Sequence, residues 1–195
     1  MIVTLVSLKG GVGKTTSAIH IAAYLQQKGS TLLIDADKNR SALVWDRESQ
    51  LPFKVVSEAA APKFVKQHQY IVIDTQARPS HEELKDLAEG CDLMILPTTP
   101  KALDMDAVNK TVELLDGLDA TYKILLTQVP PRSSAARNAR KSLEESGFPV
   151  FAAEIPRLVA FERAPVRGIL VKDYPDPRSQ TAWDSYKALG REILP

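Results

Sequence analysis

The residues Ser7 to Thr16, SLKGGVGKTT, combine three glycines, two lysines and two threonines in an order suited to holding a polyphosphate. Gly10, Gly11 and Gly13 leave room for backbone N–H groups to turn onto phosphate oxygens, where a β-carbon would crowd them. A helix opening at Lys14, Thr15 and Thr16 points its positive end at the same anion. Lys14 adds a point charge, and the Thr15 hydroxyl suits a Mg²⁺ ion. The spelling nevertheless departs from G-x-x-x-x-G-K-[ST]: counting back from Gly13 puts Leu8 where the first glycine belongs. Lys9, directly ahead of the glycines, is a second lysine that the ordinary loop does not have.

Carboxylates follow at the ends of apolar runs. Asp74 closes YIVID, where a charge is costly unless it faces a metal-bound water or a polar site, and this suits a Walker B aspartate. Asp35 and Asp37 close LLIDAD. One of the pair can order Mg²⁺-bound water or a switch loop, and the other can orient an attacking water; a solvated turn with Asp as a cap is the plainer alternative. The single cysteine, Cys91, allows no intrachain disulfide or cysteine-pair metal site and reads as a small core residue. His20, His68 and His81 share no metal-like spacing.

Elements must present these residues together. Short β-rich runs (IVTLVSL, TLLID, FKVV, YIVID, LMILP, KILLT, VFAA) alternate with helical patterns over about 15–28, 41–50, 59–68, 81–89, 104–117 and 133–146. This predicts an α/β fold, a mostly parallel central sheet with helices on both faces; the glycine loop that follows the first strand, opens a helix and ends in Gly-Lys-Thr makes the expected type a P-loop NTPase. Ligands of such sheets bind beyond the carboxyl ends of the strands, where KGGVGKTT, DADKNR, DTQARPS, TTPKALD and TQVPPRSS fall. The segment from Pro156 reads as a short helix, an extended piece and a final helix over about 178–192, with Trp183, Tyr186, Leu189 and Ile193 on its inner face. At 195 residues, without repeats or low-complexity linkers, one domain spanning 1–195 is expected.

The net charge of +1 is unevenly spread, since eight of the eleven arginines lie after residue 131. That third of the chain therefore has more capacity for phosphate contacts than the pI of about 7.8 suggests. The apolar runs are strand-sized, and the chain enters a strand at once without a signal-like segment, so a cytoplasmic protein is expected.

KGGVGKTT, LLIDAD, YIVIDT and DPRSQTAWDSYKALGREIL together resemble the deviant Walker-type ATPases of the ParA/MinD family, and the likeness runs over essentially the whole chain. The resemblance implies ATP and Mg²⁺ as cofactors and an ATP-dependent homodimer, with Lys9 as the signature lysine that reaches the partner subunit's phosphates while Lys14 serves its own. It further implies a hydrolytic role for Asp37, Mg²⁺ contacts from Thr15 and Asp74, and base contacts from Gln128 and Pro130. The loop Lys9, Gly10, Gly11, Val12, Gly13, Lys14, Thr15 and Thr16 would enclose the phosphates, with Asp35 as a further metal-side carboxylate. Two departures, Lys38-Asn39 after the paired aspartates and Gln76 with Arg78 after Asp74, touch the switch loops.

Members of the family divide by the surface they coat. The chain's last helix has few positive charges and a core-like apolar face, which disfavours a membrane. Arg137, Arg140 and Lys141 form one basic group, and Arg157, Arg163 and Arg167 a second; both suit nonspecific double-stranded DNA. Pairing of Arg140 and Lys141 with Glu144 and Glu145 is the plainer alternative. The expected function is a slow, nucleoid-associated ATPase that positions or partitions a plasmid, chromosome locus or carboxysome through an adaptor that stimulates hydrolysis. The alternatives are a MinD-like membrane or protein-surface ATPase, and a P-loop small-molecule kinase or ligase.

Overall fold

The computed structural model describes every residue except Asp119 and Pro195, so those two positions of the expected 1–195 domain lie outside the described residues. Among the described residues, seven strands form one sheet in the order β3-β2-β4-β1-β5-β6-β7, all neighbours parallel. They are β1 (Ile2–Leu5), β2 (Thr31–Ala36), β3 (Lys54–Ser57), β4 (Tyr70–Thr75), β5 (Leu93–Thr98), β6 (Tyr122–Val129) and β7 (Val150–Pro156). The α-helices are α1 (Lys14–Gln26), α2 (Ser41–Trp45), α3 (His81–Glu89), α4 (Ala102–Leu115), α5 (Ser134–Glu145), α6 (Val159–Arg163) and α7 (Ser179–Ile193).

Period-two alternation assigns each strand residue to a face. Ile95 and Leu125 point into the core under α1 and α7, whereas Met94, Leu96, Ile124 and Leu126 point to the opposite core under α3, α4 and α5. The predicted inner face of the last helix, Trp183, Tyr186, Leu189 and Ile193, is buried in the first of these cores. α7 lies so close to α1 that a Cβ at Gly190 would collide with the Tyr24 ring. Ser80 and Glu83 form a capping box that starts α3 at the predicted residue.

Two expected helices differ. The pattern over 59–68 folds as 3₁₀ turns, Glu58–Lys63 and Val65–Gln67, because Pro62 removes a backbone donor inside the segment. The one expected over 41–50 stops at Trp45; Asp46 then accepts from the Leu51 amide at 3.3 Å and Ser49 takes a left-handed φ of 51°. Cys91 is half-buried at the rim of the second core, not inside it.

Candidate nucleotide site

Strand order sets which loops meet. β1 lies between β4 and β5, so the glycine loop after β1 sits where the connections diverge to opposite sides, a topological switch point. Gly11 and Gly13 adopt φ of 78° and 88°, a left-handed geometry that other residues adopt at a cost. Cβ atoms built at Gly10 or Gly11 would meet nothing within 4 Å, so these residues border open space. The loop's carbonyls are tied back: Thr127 Oγ1 donates to Val12 O at 2.7 Å and Gln128 Nε2 to Gly11 O at 2.6 Å. α1 then begins with no side-chain cap and no acidic residue in its first turn, which leaves its positive end to the cleft.

Parallel register places Asp74 beside Asp35 and opposite Leu5. Asp74 is fully buried, and neither of its carboxylate oxygens has a hydrogen-bond partner. The Thr15 hydroxyl faces it and favours its charged form without completing a hydrogen bond. Burial, with the Asp35 and Asp37 charges, pushes the Asp74 carboxyl up to about 7 against the Thr15 hydroxyl and the Lys14 ammonium. Burial likewise lowers the pKa of Lys14, which is 7% exposed, and the charges of Asp74 and Asp37 oppose that shift. A buried carboxylate lacking donors, beside a hydroxyl and an uncapped helix start, fits a hydrated Mg²⁺ with its phosphates.

A cleft of about 470 Å³ brings together Gly10, Gly11, Gly13, Lys14, Thr15, Thr16, Asp37 and Gln128. Val12 is buried behind the loop. A smaller cavity of about 160 Å³ continues past Gly13, Thr16 and Gln128 to Pro156, Arg157, Phe161 and Tyr186. Pro130 lines neither; it borders a separate depression with Arg132 and Arg137. Of the pair expected at the base, Gln128 thus lines both cavities and Pro130 neither, and Arg157, expected on DNA, lines the smaller one with Gln128. The sequence signal missed was Thr127, one residue before Gln128.

Asp35 is occupied otherwise than as a metal ligand: its oxygens accept from the amides of Asp37 at 3.1 Å and Leu43 at 2.9 Å. Of the roles open to it, holding the switch loop is the one its hydrogen bonds fill. Asn39, one of the departures, donates from both its amide (2.9 Å) and its side chain (3.0 Å) to Asp37 Oδ1. Gln76 donates to Glu83 at 3.0 Å, and Arg78 takes a left-handed φ of 59° while its amide donates to Ser7 O. Lys9 is paired with Asp104 at the start of α4.

Residues 3–171 match the CobQ/CobB/MinD/ParA nucleotide binding domain. The chain belongs to this family. As a member, it is 32% identical to a maintenance of carboxysome distribution protein A from Gloeobacter kilaueensis, over 98% of this chain and 93% of the other. A protein of the same name from Halothiobacillus neapolitanus is 27% identical over 97% and 94% of the two chains. The fold is similar to that of apo McdA from Cyanothece, with a TM-score of 0.77, 16% identity and coverage of 96% and 98%.

The basic groups fare unequally. Arg137, Arg157, Arg163 and Arg167 are exposed, and Lys141 is exposed but 3.6 Å from Glu145. Arg163 and Arg167 both approach Tyr174, the latter with its guanidinium 5.2 Å from the ring centre. Arg140 does not join them. It donates to Glu154 (2.9 Å from Nη2) and to Phe151 O (2.9 Å), so the expectation of a DNA contact there gives way to a bracket between α5 and β7.

Proposed function

We propose that this chain is an ATP-dependent dimeric switch that hydrolyses ATP slowly, holds nonspecific double-stranded DNA in its ATP-bound dimer, and is released when an adaptor protein stimulates hydrolysis. The observation that carries the reading is the buried Asp74 carboxylate without donors, facing Thr15 at an uncapped helix start. Thr15 and Asp74 would hold Mg²⁺, directly or through its water. Bound Mg²⁺ supplies charge neutralisation on the phosphate oxygens. Lys14 and the amides of residues 10–16 bind and orient the phosphates; Asp37, fixed by Asn39, aligns the attacking water; Gln128 and the segment after β7 enclose the base side.

The dimer reading draws support from apolar residues left in water: Val44 on α2 and Val166 (76% exposed) just after α6, whose neighbours Trp45 and Pro165 line the cleft, and Leu103 (75%) on α4, next to the Asp104 that pairs with Lys9. Of the two expected basic groups, Arg137, Arg163 and Arg167, with Lys141, are the exposed cations that line neither the cleft nor the smaller cavity and could meet DNA phosphates. The apolar face of α7 is committed to the core, and no helix among the described residues is long and apolar enough to cross a membrane. The names of the two relatives favour carboxysome distribution as the use of the switch.

Binding to random-sequence duplex DNA is the test, with no nucleotide, with ADP, and with ATP plus Mg²⁺, at two salt concentrations. Salt-sensitive binding confined to ATP is expected. ATP turnover without DNA binding in any state would overturn the DNA part and leave a membrane or protein surface, or a small-molecule acceptor, to be tried.

A further inference from the structure

Lys9 is the residue the proposed dimer needs on the far side of its interface, yet in the single chain it is engaged at home. Its ammonium pairs with Asp104 Oδ1, across 95 residues of sequence. The Asp104 side chain is only 6% exposed, whereas that of Lys9 is 37% exposed. Thr99 Oγ1 donates to the other oxygen, Oδ2, and Thr98 Oγ1 donates to the Asp104 carbonyl at 3.0 Å. The carboxylate is thus a fixed receptor and the lysine a movable arm. Burial alone would raise the Asp104 pKa, but the hydrogen bonds from Lys9 and Thr99 and the charges of Lys9 and Lys101 bring it below the usual range.

We propose that this ion pair is an autoinhibitory latch on dimerisation: Asp104 retains Lys9 on its own protomer, and a second copy carrying a triphosphate captures Lys9 only by outcompeting that carboxylate. This rests on the reading of Lys9 as a cross-subunit cation. Release strands a buried carboxylate with one hydroxyl donor, so the exchange is costly unless the incoming anion is strongly charged. A diphosphate, with less charge, competes less well. The latch therefore gives the switch part of its preference for ATP, and it reduces apparent dimer affinity by the fraction of chains whose lysine is free.

Four proteins decide it: the wild type, Asp104→Asn, Lys9→Ala and the double variant, each with ADP or a non-hydrolysable ATP analogue plus Mg²⁺, their dimerisation followed by analytical ultracentrifugation. Asp104→Asn keeps the shape and removes the charge. It is expected to dimerise at about tenfold lower concentration than the wild type, with part of the gain present in ADP, and the gain should vanish in the Lys9→Ala background. Dimerisation unchanged or weakened in Asp104→Asn, where Lys9→Ala does weaken it, overturns the latch alone. Lys9→Ala dimerising like the wild type overturns the cross-subunit role beneath it, and a wild type that never dimerises overturns the dimeric switch. If the Asp104 variant does not fold, the ¹H–¹⁵N correlation of the Lys9 ammonium in the wild type decides. The latch requires a protected signal without nucleotide that shifts or is lost with the analogue, and an unprotected or unmoved signal overturns it.

Discussion

Helix α1 carries two polar clusters about one turn apart, and they are completed to different degrees. At its start, Thr15 and Lys14 face a buried Asp74 carboxylate whose oxygens lack donors. One turn on, every polar group is paired: Ser17 shares a hydrogen bond with the Tyr186 hydroxyl at 3.1 Å, His20 Nδ1 donates to Thr16 O at 2.7 Å, and His20 Nε2 accepts from the Val171 amide at 3.0 Å. The His20 ring stacks on Tyr186 at 4.7 Å, with Trp45 and Phe161 at its edges. Buried polar groups are normally satisfied, so the incomplete cluster is where the proposed Mg²⁺ and nucleotide would supply the missing partners. The complete one joins α1 to α7 and the segment before it.

The comparison is broken most severely at Lys14. Lys14→Ala should lower nucleotide affinity by about a thousandfold while leaving the fold intact, as calorimetric titration and circular dichroism would show, because the charge lost faces the phosphates and not the core. A folded variant that binds like the wild type would put the nucleotide elsewhere.

Asp74→Asn should do the reverse to stability. The native carboxyl titrates at about 7 against an ordinary 3.8, so burying its charge destabilises the nucleotide-free protein progressively as pH rises from about 4 to 7. The substitution should therefore stabilise the nucleotide-free protein by up to about 4 kcal/mol at pH 8, with little gain at pH 4, and abolish the Mg²⁺ dependence of nucleotide binding. Denaturant melts at the two pH values would test it; no stabilisation at pH 8 would mean that the carboxylate is not the strained group.

The completed cluster predicts the opposite pH sign. Burial, opposed by the Thr16 carbonyl, lowers the His20 pKa from 6.5 to about 4, so its contribution is intact above pH 6.5 and declines as pH falls toward 4. The loss should amount to about 3 kcal/mol, and His20→Gln should flatten that part of the profile. A wild-type profile level from pH 7 to 4, after allowance for the carboxylates, would contradict the neutral, doubly bonded imidazole.

The smallest effects concern the surface, where the same distinction between free and committed groups applies. Replacing Arg163 and Arg167 together by Ala should weaken DNA binding several-fold and reduce the slope of log affinity against log salt by about 2. Arg140→Ala should leave that slope unchanged and cost about 1 kcal/mol of stability through its lost bonds to β7. A reduced slope for Arg140→Ala would restore it to the DNA surface.

Much of this was legible in the sequence because it is local. A strand, a glycine loop and a helix are continuous in the chain, so the spacing from Gly10 to Thr16 sets the phosphate site wherever the sheet goes. Asp74 and Asp37 were legible for a similar reason, since a carboxylate at the end of an apolar strand has few other uses. Misreadings arose where helical periodicity met a local competitor: Pro62 in the segment after β3, and the Asp46–Leu51 bond after α2. Gln128 lines the cleft and Pro130 does not, because a bend of two residues directs a chain into or out of a cavity. Gln128 itself holds a left-handed φ of 49° there.

By itself, then, the sequence determined the parallel α/β architecture, the glycine loop between a strand and a helix, and which carboxylates stand at strand ends. Hydrophobic period and strand–loop–helix continuity act within a few residues, so no distant partner is needed to infer them. Only the tertiary structure decided that Lys9 rests on Asp104, that Arg140 is committed to β7, that Asp35 fastens a loop, and that Arg157 lines a cavity with Gln128. Each outcome depends on which loops the sheet order brings together and on how deeply each charge is buried. A lysine's spacing shows that it can reach an anion; the fold decides which anion it reaches first.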